Sequence, residues 1–461
     1  MGPGAVTLER ADIQGLFARG YSNLALATFL LLGLEDDASG RRWLGDALSG
    51  VTTSEDRPER RAVNVAFTAS GLGRLGVDGE ALGQFSNEFV SGMTAPHRRR
   101  ILADVGTSAP ERWDWGGPGT PTVDGVLLLY ATDRAEITAL EEEQTAVLHR
   151  HGVQVLHRLG TSDLDGFEPF GWRDGVSQPL VEGLGKTGPE SFTVKAGEFV
   201  LGYPNEYGRL TGHPPLGRNG SYLVFRQLAQ DVRGFWRYLD SATRTADGAE
   251  DPAARLRLGS KFVGRWPSGA PLVLAPDADE PALAEENDFR YHRDDARGAR
   301  CPVGSHIRRS NPRDSLDPDP GSDDSLELNR RHRLLRRGRE YGSPLTTDEA
   351  LHAVDDGEPR GLHFICLSGN IARQFEFVQQ TWLNDPKFAG LYDDADPLVG
   401  PSEPFGGCFT APGEGIRERF TGVPRFVTVK GGAYFFMPGL AALRSLAGAG
   451  EPGNSSSPVG S

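Results

Sequence analysis

The segment Phe167 to Pro179, FEPFGWRDGVSQP, contains an acidic side chain between two glycines. Asp174 lies between Gly171 and Gly175, and a carboxylate held in such a place could exchange protons with a small substrate. An Asp–Gly pair is more often a simple turn, in which the carboxylate accepts a hydrogen bond from the nearby backbone. Taken alone, the segment indicates a turn and decides little about function.

A single histidine stands in the segment Cys301 to Arg313, CPVGSHIRRSNPR. Histidine is the commonest metal ligand in proteins, although a lone one is more often a structural or surface residue. Gly304 and Ser305 leave room beside the ring of His306 for a large flat group. The segment is therefore compatible with a metal-containing cofactor but does not require one.

Arginines cluster in the segment Arg331 to Gly342, RHRLLRRGREYG. Such a cluster normally forms a solvated face. If the two leucines belong to a short strand, alternation turns Leu335 and Arg337 away from the side that Arg336 faces. We therefore expect Arg336 to point inward.

The strands and helices that must position these side chains are predicted first for the N-terminal half of the chain. Strands are predicted where short runs are apolar or alternate, and helices where apolar residues recur every three to four positions. The resulting order is strand, helix, strand, strand, helix, strand, which is that of a ferredoxin-like unit. The predicted strands are residues 27–34, 62–68, 125–131 and 153–157, and the predicted helices are residues 40–48 and a helix that begins at Asp133.

The second half repeats much of this order. Its predicted strands are residues 221–225, 333–336 and 361–367, its predicted helices are about 229–239 and 370–383, and a hairpin is predicted at 426–436 with its turn at Gly431 and Gly432. Residues 277–298 and 311–324 are rich in Pro, Asp and Gly and predict long loops of the kind that serve a site.

We therefore predict an α+β fold of two stacked ferredoxin-like halves. Each half would hold an antiparallel four-stranded sheet with helices, and together they would resemble a dimeric α+β barrel. The predicted domains are residues 1–200, which carry Asp174, and residues 201–447. Residues 448–461, GAGEPGNSSSPVGS, have the composition of a disordered tail.

The charge balance argues against several classes of partner. The 461 residues include 49 Lys and Arg and 63 Asp and Glu, for a net charge of −14. A chain without a positive field is not expected to bind nucleic acid or an anionic membrane surface. No apolar run is long enough to cross a bilayer, and residues 1–20 do not resemble a secretory signal. We expect a cytoplasmic protein, and an oligomer stays possible.

In this order, the three segments resemble the dye-decolorising peroxidase family of haem proteins. The resemblance covers nearly the whole chain and includes DIQGLFARGY at 12–21, GEFVLGYPNEYG at 197–208, NGSYLVFRQLAQDV at 219–232 and RQFEFVQQTWLN at 373–384. The family's Gly-x-x-Asp-Gly motif falls on residues 171–175, with Trp172 where Phe or Tyr is more familiar. The resemblance implies that His306 is the proximal haem ligand, Asp174 the distal acid and Arg336 the distal arginine.

The resemblance also implies an activity and a cofactor. We expect a haem b peroxidase that uses hydrogen peroxide to oxidise dyes, phenolic and other aromatic reductants through a ferryl intermediate. One haem per chain would be held mainly against the second half. We expect no covalent bond to it, since the three cysteines form no Cys-x-x-Cys motif. Because reference pKa values are about 3.9 for Asp and about 6.5 for His, an aspartate base predicts that dyes are oxidised fastest in acid.

Further roles follow from family position alone. Glu376 in QFEFVQ is expected to accept a hydrogen bond from the second ring nitrogen of His306. Arg308 and Arg309 would pair with the haem propionates, although a solvated face is nearly as good an interpretation. Tyr341 would relay a radical from bulky dyes that cannot reach a buried haem, and a packing role is the alternative.

Three other interpretations of the sequence remain. Cys301 could supply a thiolate to haem and make the enzyme a peroxygenase. A haem-carrying or haem-processing protein with little turnover could use the same His306. Residues 71–76, GLGRLG, match the dinucleotide-binding pattern G-x-G-x-x-G, but no strand ending in an acid follows at the expected distance.

Overall fold

The computed structural model describes residues 6–448 apart from 164, 186–191, 211, 403–405 and 413–415. The predicted disordered tail at 448–461 lies outside the described residues except for Gly448. Within the described ranges, no helix is long and apolar enough to cross a membrane. The strands are β1 Leu26–Gly33, β2 Arg61–Phe67, β3 Gly125–Ala131, β4 Gln154–Gly160, β5 Leu180–Val181, β6 Thr193–Val194, β7 Ser221–Gln230, β8 Leu335–Arg336, β9 Arg339–Tyr341, β10 Gly361–Ser368, β11 Gly407–Ala411, β12 Glu418–Val423 and β13 Val427–Met437.

Most helices are short, and the longest packs on the first half of the sheet. The α-helices are α1 Gly15–Ala18, α2 Asp37–Ala47, α3 Ala69–Arg74, α4 Gly79–Leu82, α5 Asn87–Ser91, α6 Pro96–Leu102, α7 Arg134–Arg150, α8 Val232–Thr243, α9 Pro252–Val263, α10 Tyr291–Asp295, α11 His306–Ser310, α12 Asp323–Arg330, α13 Thr347–His352 and α14 Leu440–Leu446. Residues Ala372–Glu376 and Val378–Leu383 form π-helical turns.

Nine of the described strands form one antiparallel sheet. Its order is β4-β1-β3-β2-β13-β7-β10-β8, and β9 also pairs with β10. Strands β1 to β4 come from the first half and the other five from the second, so the halves meet where Phe67 of β2 lies opposite Phe436 of β13. In the first half, β1, α2, β2, β3, α7 and β4 follow one another as predicted, with four short helices inserted before β3. The predicted α+β fold is confirmed.

The faces of the two halves also pack against each other. The ring of Phe29 on β1 lies 5.4 Å from that of Phe225 on β7 and 5.6 Å from that of His363 on β10. These strands are not neighbours in the sheet, so the sheet must curl until one apolar face closes on itself. Among the described strands, β4 and β8 at the two ends do not pair. The arrangement is therefore barrel-like but not a closed barrel.

The predicted hairpin at 426–436 is wrong. These residues belong to the single strand β13, which pairs with β7 along its length and has a bulge between Val429 and Gly431. A Cβ atom on Gly431 would collide with the indole of Trp115, and one on Gly432 would lie 2.8 Å from the sulfur of Met93. The two glycines therefore make room for neighbouring side chains and do not form a turn.

The dinucleotide-binding interpretation of residues 71–76 is also wrong. The segment runs through α3, where a Cβ atom on Gly71 would collide with the carbonyl oxygen of Asp124. Strands β2 and β3 on either side of it are antiparallel, whereas a dinucleotide-binding fold needs a parallel β-α-β unit. Gly71 therefore serves the packing of α3 on the sheet.

Candidate active site

Asp174, His306 and Arg336 line one cavity, although 132 residues separate the first two in the chain, since 306 − 174 = 132. Their side chains are 33%, 27% and 35% exposed, while Phe375 and Leu398 beside them are buried. The exposed surface of the three polar side chains therefore faces the cavity. This is the cluster that the sequence predicted.

A loop with two left-handed glycines holds Asp174. Gly171 and Gly175 have φ angles of +103° and +77°, which glycine adopts without strain. The backbone N–H of Asp174 donates to the carbonyl oxygen of Gly166 at 2.9 Å, and the N–H of Gly175 donates to Oδ1 of Asp174 at 2.6 Å. The Asp–Gly turn is thus present, and it leaves the carboxylate at the cavity wall.

The short strand β8 aims Arg336 at this carboxylate. Nη1 of Arg336 lies 3.3 Å from Oδ1 of Asp174. Leu335 points the other way and is buried, and Nε of Arg337 donates to the carbonyl oxygen of Leu16 at 2.6 Å on the opposite face. The predicted alternation is confirmed, because Arg336 faces the cavity and its two neighbours do not.

His306 is the first residue of α11 and is held by a buried carboxylate. Nδ1 of His306 lies 2.9 Å from Oδ2 of Asp396. Burial lowers the pKa of His306, but the charge and hydrogen bond of Asp396 outweigh burial and raise it. Oδ1 of Asp396 accepts the backbone N–H groups of Leu398 and Val399, each at 3.0 Å. The imidazole is thereby fixed in orientation, with Nε2 left to act as a ligand.

Known proteins resemble the chain over nearly its full length, although no family model matches it. The multifunctional dye peroxidase DyP2 of an Amycolatopsis species is 34% identical, with 91% of this chain and 92% of that protein covered. A dye-decolorizing peroxidase of Mycena epipterygia is 32% identical, with 91% and 84% covered. The structure of an ancestral D-type dye decolorizing peroxidase superposes with a TM-score of 0.82 at 28% identity, covering 96% of this chain and 100% of that chain.

The chain belongs to the dye-decolorising peroxidase family. It is therefore a peroxidase of a haem-dependent family, which uses peroxide to oxidise dyes and other aromatic reductants. Neither the haem-carrying interpretation nor the peroxygenase interpretation is favoured by these relatives. In this peroxidase, Cys301 is fully buried, burial raises the pKa of its thiol to about 11, and the residue does not line the cavity.

The prediction that Glu376 supports His306 is wrong. Oε2 of Glu376 lies 2.5 Å from Nη1 of Arg98, and Oε1 accepts the hydroxyl of Tyr434 at 2.8 Å. These contacts place Glu376 in a buried polar cluster that involves the N-terminal half. Asp396 takes the role that the sequence assigned to Glu376.

The predicted role of Arg308 and Arg309 at haem propionates is also wrong. Arg308 donates to the carbonyl oxygen of Cys301 at 2.8 Å and lies 3.2 Å from a carboxylate oxygen of Asp295. Arg309 donates to the carbonyl oxygens of Trp382 and Asp394, each at 2.8 Å, and to that of Asp385. Both arginines are buried and their donors are used within the protein, so they hold the segment around His306 in place.

Tyr341 is not the surface tyrosine that a radical relay assumes. Its side chain is largely buried, its hydroxyl donates to the carbonyl oxygen of Leu228 at 3.0 Å, and its ring stacks on His363 at 4.6 Å. Burial also raises the pKa of the phenol. These contacts favour the packing role.

Sequence reasoning missed Asp396, Glu168 and Arg333, all of which matter to the site. Asp396 stands in LYDDADPLVG, where nothing distinguishes it from Asp393 and Asp394. Glu168 and Arg333 lie within the first and third of the three segments that were singled out, and both line the cavity. Strand alternation from Arg336 would place Arg333 on the side of Leu335, away from the cavity. The local pattern therefore could not reveal the position of Arg333, which depends on distant loops.

Proposed function

We propose that Asp174, Arg336 and His306 form the catalytic centre of this peroxidase. The observation that carries the proposal is their shared cavity, in which Asp174 contacts Arg336 and His306 is backed by Asp396. A proton-transfer group, a fixed positive charge and a free imidazole nitrogen are the groups that peroxide cleavage at haem requires.

The residues around the cavity fit haem b. His306 offers one ring nitrogen as a ligand, because its other nitrogen is bound to Asp396. Large apolar side chains that would cover a porphyrin share the lining, namely Leu334, Leu362, Phe364, Phe375, Val378, Leu383, Leu398, Val427 and Val429. Relatives have been solved with imidazole and with cyanide, both of which are ligands of haem iron. None of the three cysteines lines the cavity, which supports non-covalent binding.

When bound, haem would supply the iron that receives peroxide and the electrons that break its O–O bond. The residues of this chain would transfer the proton and stabilise the developing charge. Asp174 accepts the proton of the bound peroxide and returns it to the leaving oxygen, so that water departs. Arg336 stabilises the negative charge that develops on the leaving oxygen, and its 3.3 Å contact with Asp174 keeps the two groups together. Asp396 keeps the ring of His306 in place.

The experiment compares Asp174→Asn with the parent after both have been loaded with haem. We expect the variant to keep its haem absorption spectrum while peroxide-dependent dye oxidation falls by about 10²- to 10⁴-fold, the usual contribution of a positioned acid or base. Asp277→Asn, at an exposed position outside the cavity, is the matched control and should oxidise dyes like the parent. Unchanged turnover of Asp174→Asn would contradict the role of Asp174.

Further properties rest on the sequence alone. We propose that the reducing substrates are dyes, phenols and other aromatic molecules. Because the net charge is −14, we also propose that nucleic acid and membranes are not partners. The cytoplasmic location and the oligomeric state stay predictions.

A further inference from the structure

Arg333 lines the cavity and lacks the acceptors that its neighbours have. Among the described residues, one side-chain hydrogen bond is formed by its guanidinium, from Nη2 to the carbonyl oxygen of Ser177 at 3.1 Å. No carboxylate of the described ranges lies within 4.0 Å of it. A guanidinium carries five N–H donors, so most of those of Arg333 are free to bind a ligand.

Three other arginines around the cavity have a carboxylate neighbour. Arg226 is paired with Asp104, and Arg173 lies 2.6 Å from a carboxylate oxygen of Glu285. Arg336 faces Asp174. Arg265 also lines the cavity, and its guanidinium donates to Gly269, Glu286 and Asn287. Arg333, by contrast, has neither a carboxylate nor a second acceptor in the described part of the chain.

The electrostatic environment of Arg333 is unfavourable in the protein alone. Burial lowers the pKa of its guanidinium to about 9, and the positive charges of Arg313 and Arg336 act in the same direction. Arg333 is half-buried, and a positive charge that is partly withdrawn from water is stabilised when a carboxylate binds beside it. The position therefore favours a bound anion.

We propose that Arg333 binds a propionate carboxylate of the cofactor, the role that the sequence assigned to Arg308 and Arg309. The inference rests on the proposed function, because it requires haem in this cavity. A carboxylate can accept two parallel N–H groups of a guanidinium, which is the strongest common form of ion pair. Arg333 precedes Arg336 by three residues, so one short segment would hold both a haem carboxylate and the distal charge.

The experiment measures haem affinity rather than activity. Haem-free parent, Arg333→Gln and Arg333→Lys are titrated with haem and with haem dimethyl ester, and binding is followed by absorption. We expect Arg333→Gln to weaken the binding of haem by about ten- to a hundredfold, which is the usual contribution of a hydrogen-bonded charge. Arg333→Lys should recover part of this loss because it keeps the charge. The ester has no carboxylate, so its affinity should be the same for parent and variants.

The matched control is Arg173→Gln, which removes a cavity arginine that already has a carboxylate partner. This control should leave the ratio of haem to ester affinity at the parent value. Equal losses for haem and ester in Arg333→Gln, or no loss for either, would overturn the inference while leaving haem binding by the parent intact. A parent that binds neither porphyrin would instead contradict the proposed function.

Discussion

At the scale of single residues, the cavity depends on carboxylates in different environments. Asp396 is buried and held ionised: burial raises its pKa, but the charge and hydrogen bond of His306 prevail and lower it. Glu168 accepts the backbone N–H groups of Phe170 and Trp172, each at 3.0 Å, and Nε2 of Gln230 at 2.8 Å. One carboxylate therefore fixes the imidazole, and the other fixes the loop that carries Asp174.

Glu168 provides a test by pH. Burial raises its pKa to about 7 from a reference value of 4.5, the three hydrogen bonds act in the opposite direction, and the charge of Asp174 adds to the rise. A folded pKa above the unfolded one means that the folded state binds more protons in this interval. The contribution of Glu168 to stability is thus fully present below pH 4.5 and is lost as the pH rises towards 7.

We therefore expect Glu168→Gln to remove this loss in the haem-free protein. The free energy of unfolding of the variant, relative to the parent, should rise between about pH 4.5 and pH 7 and level off above. Urea unfolding at several pH values measures it. Glu59→Gln, at an exposed position, controls for the loss of a negative charge. If the difference in free energy of unfolding between Glu168→Gln and the parent does not vary with pH, the raised pKa of Glu168 is refuted. Burial also raises the pKa of Glu340 to about 7. Because Glu340 is present in both the parent and the variant, its effect cancels in the difference between their free energies of unfolding.

The sequence indicated the proposed catalytic residues better than the residues that hold them in place. Asp174, His306 and Arg336 stand in segments whose motifs could be recognised, and the structure brings them to one cavity. Their partners come from distant segments, such as Asp396 ninety residues beyond His306. Glu376 was misassigned because its partner Arg98, far away in the chain, cannot be inferred from local pattern.

At the scale of elements, the Asp174 loop is anchored by packing against two helices. The indole of Trp172 stacks on Trp236 of α8 at 5.5 Å, and its Nε1 donates to the carbonyl oxygen of Arg265 at 2.9 Å. A Cβ atom on Gly259 of α9 would lie 2.7 Å from Trp172 and 3.0 Å from Leu239. Gly259, in the middle of α9, therefore leaves room for the indole of Trp172.

This contact predicts that Gly259→Ala destabilises the protein by about 1 to 3 kcal/mol, as overpacking usually does. In a Trp172→Phe background the same change should cost less, because the smaller ring leaves space. Gly45→Ala in α2 is the control: a Cβ atom there meets nothing within 4 Å, so the better helix propensity of Ala should stabilise the protein by up to about 1 kcal/mol. Thermal unfolding measures all four variants, and equal costs of Gly259→Ala in both backgrounds would contradict the packing account.

The sequence predicted regular elements well where one apolar pattern decided them. Strand β3 was predicted with its observed bounds, Gly125–Ala131. The predictions failed where glycine had two interpretations, as in β13, whose glycines accommodate Trp115 and Met93 instead of forming a turn. They also could not distinguish an α-helix at 370–383 from the π-helical turns observed there, because both place apolar residues at similar spacing.

At the scale of the whole molecule, the two halves share their core. Phe225 of β7 packs on Phe29 of β1 at 5.4 Å and on Trp115 at 5.2 Å. The C-terminal helix α14 belongs to a buried cluster with Trp43 and Leu44 of α2. The division into residues 1–200 and 201–447 stays a prediction, and we expect neither part to be stable without the other.

The shared core predicts that the haem-free protein unfolds in one cooperative transition. Phe225→Ala should lower the free energy of unfolding by about 3 to 5 kcal/mol and should weaken the protection of backbone amides in both halves. Tyr392→Ala, at a side chain that is 83% exposed, should change stability by less than about 0.5 kcal/mol. Hydrogen exchange resolved by segment measures the effect. Loss of protection confined to residues 201–447 would show that the halves fold independently.

We propose that His306 would hold the iron of a bound haem and that Asp174 and Arg336 would act on the peroxide. Diffraction from crystals of the haem-loaded protein, recorded at the iron absorption edge, locates the iron atom directly. We expect the iron to lie within bonding distance of Nε2 of His306, with Asp174 and Arg336 on the opposite face of the porphyrin. Iron bound by any other side chain, or a porphyrin with all three residues on one face, would contradict the account.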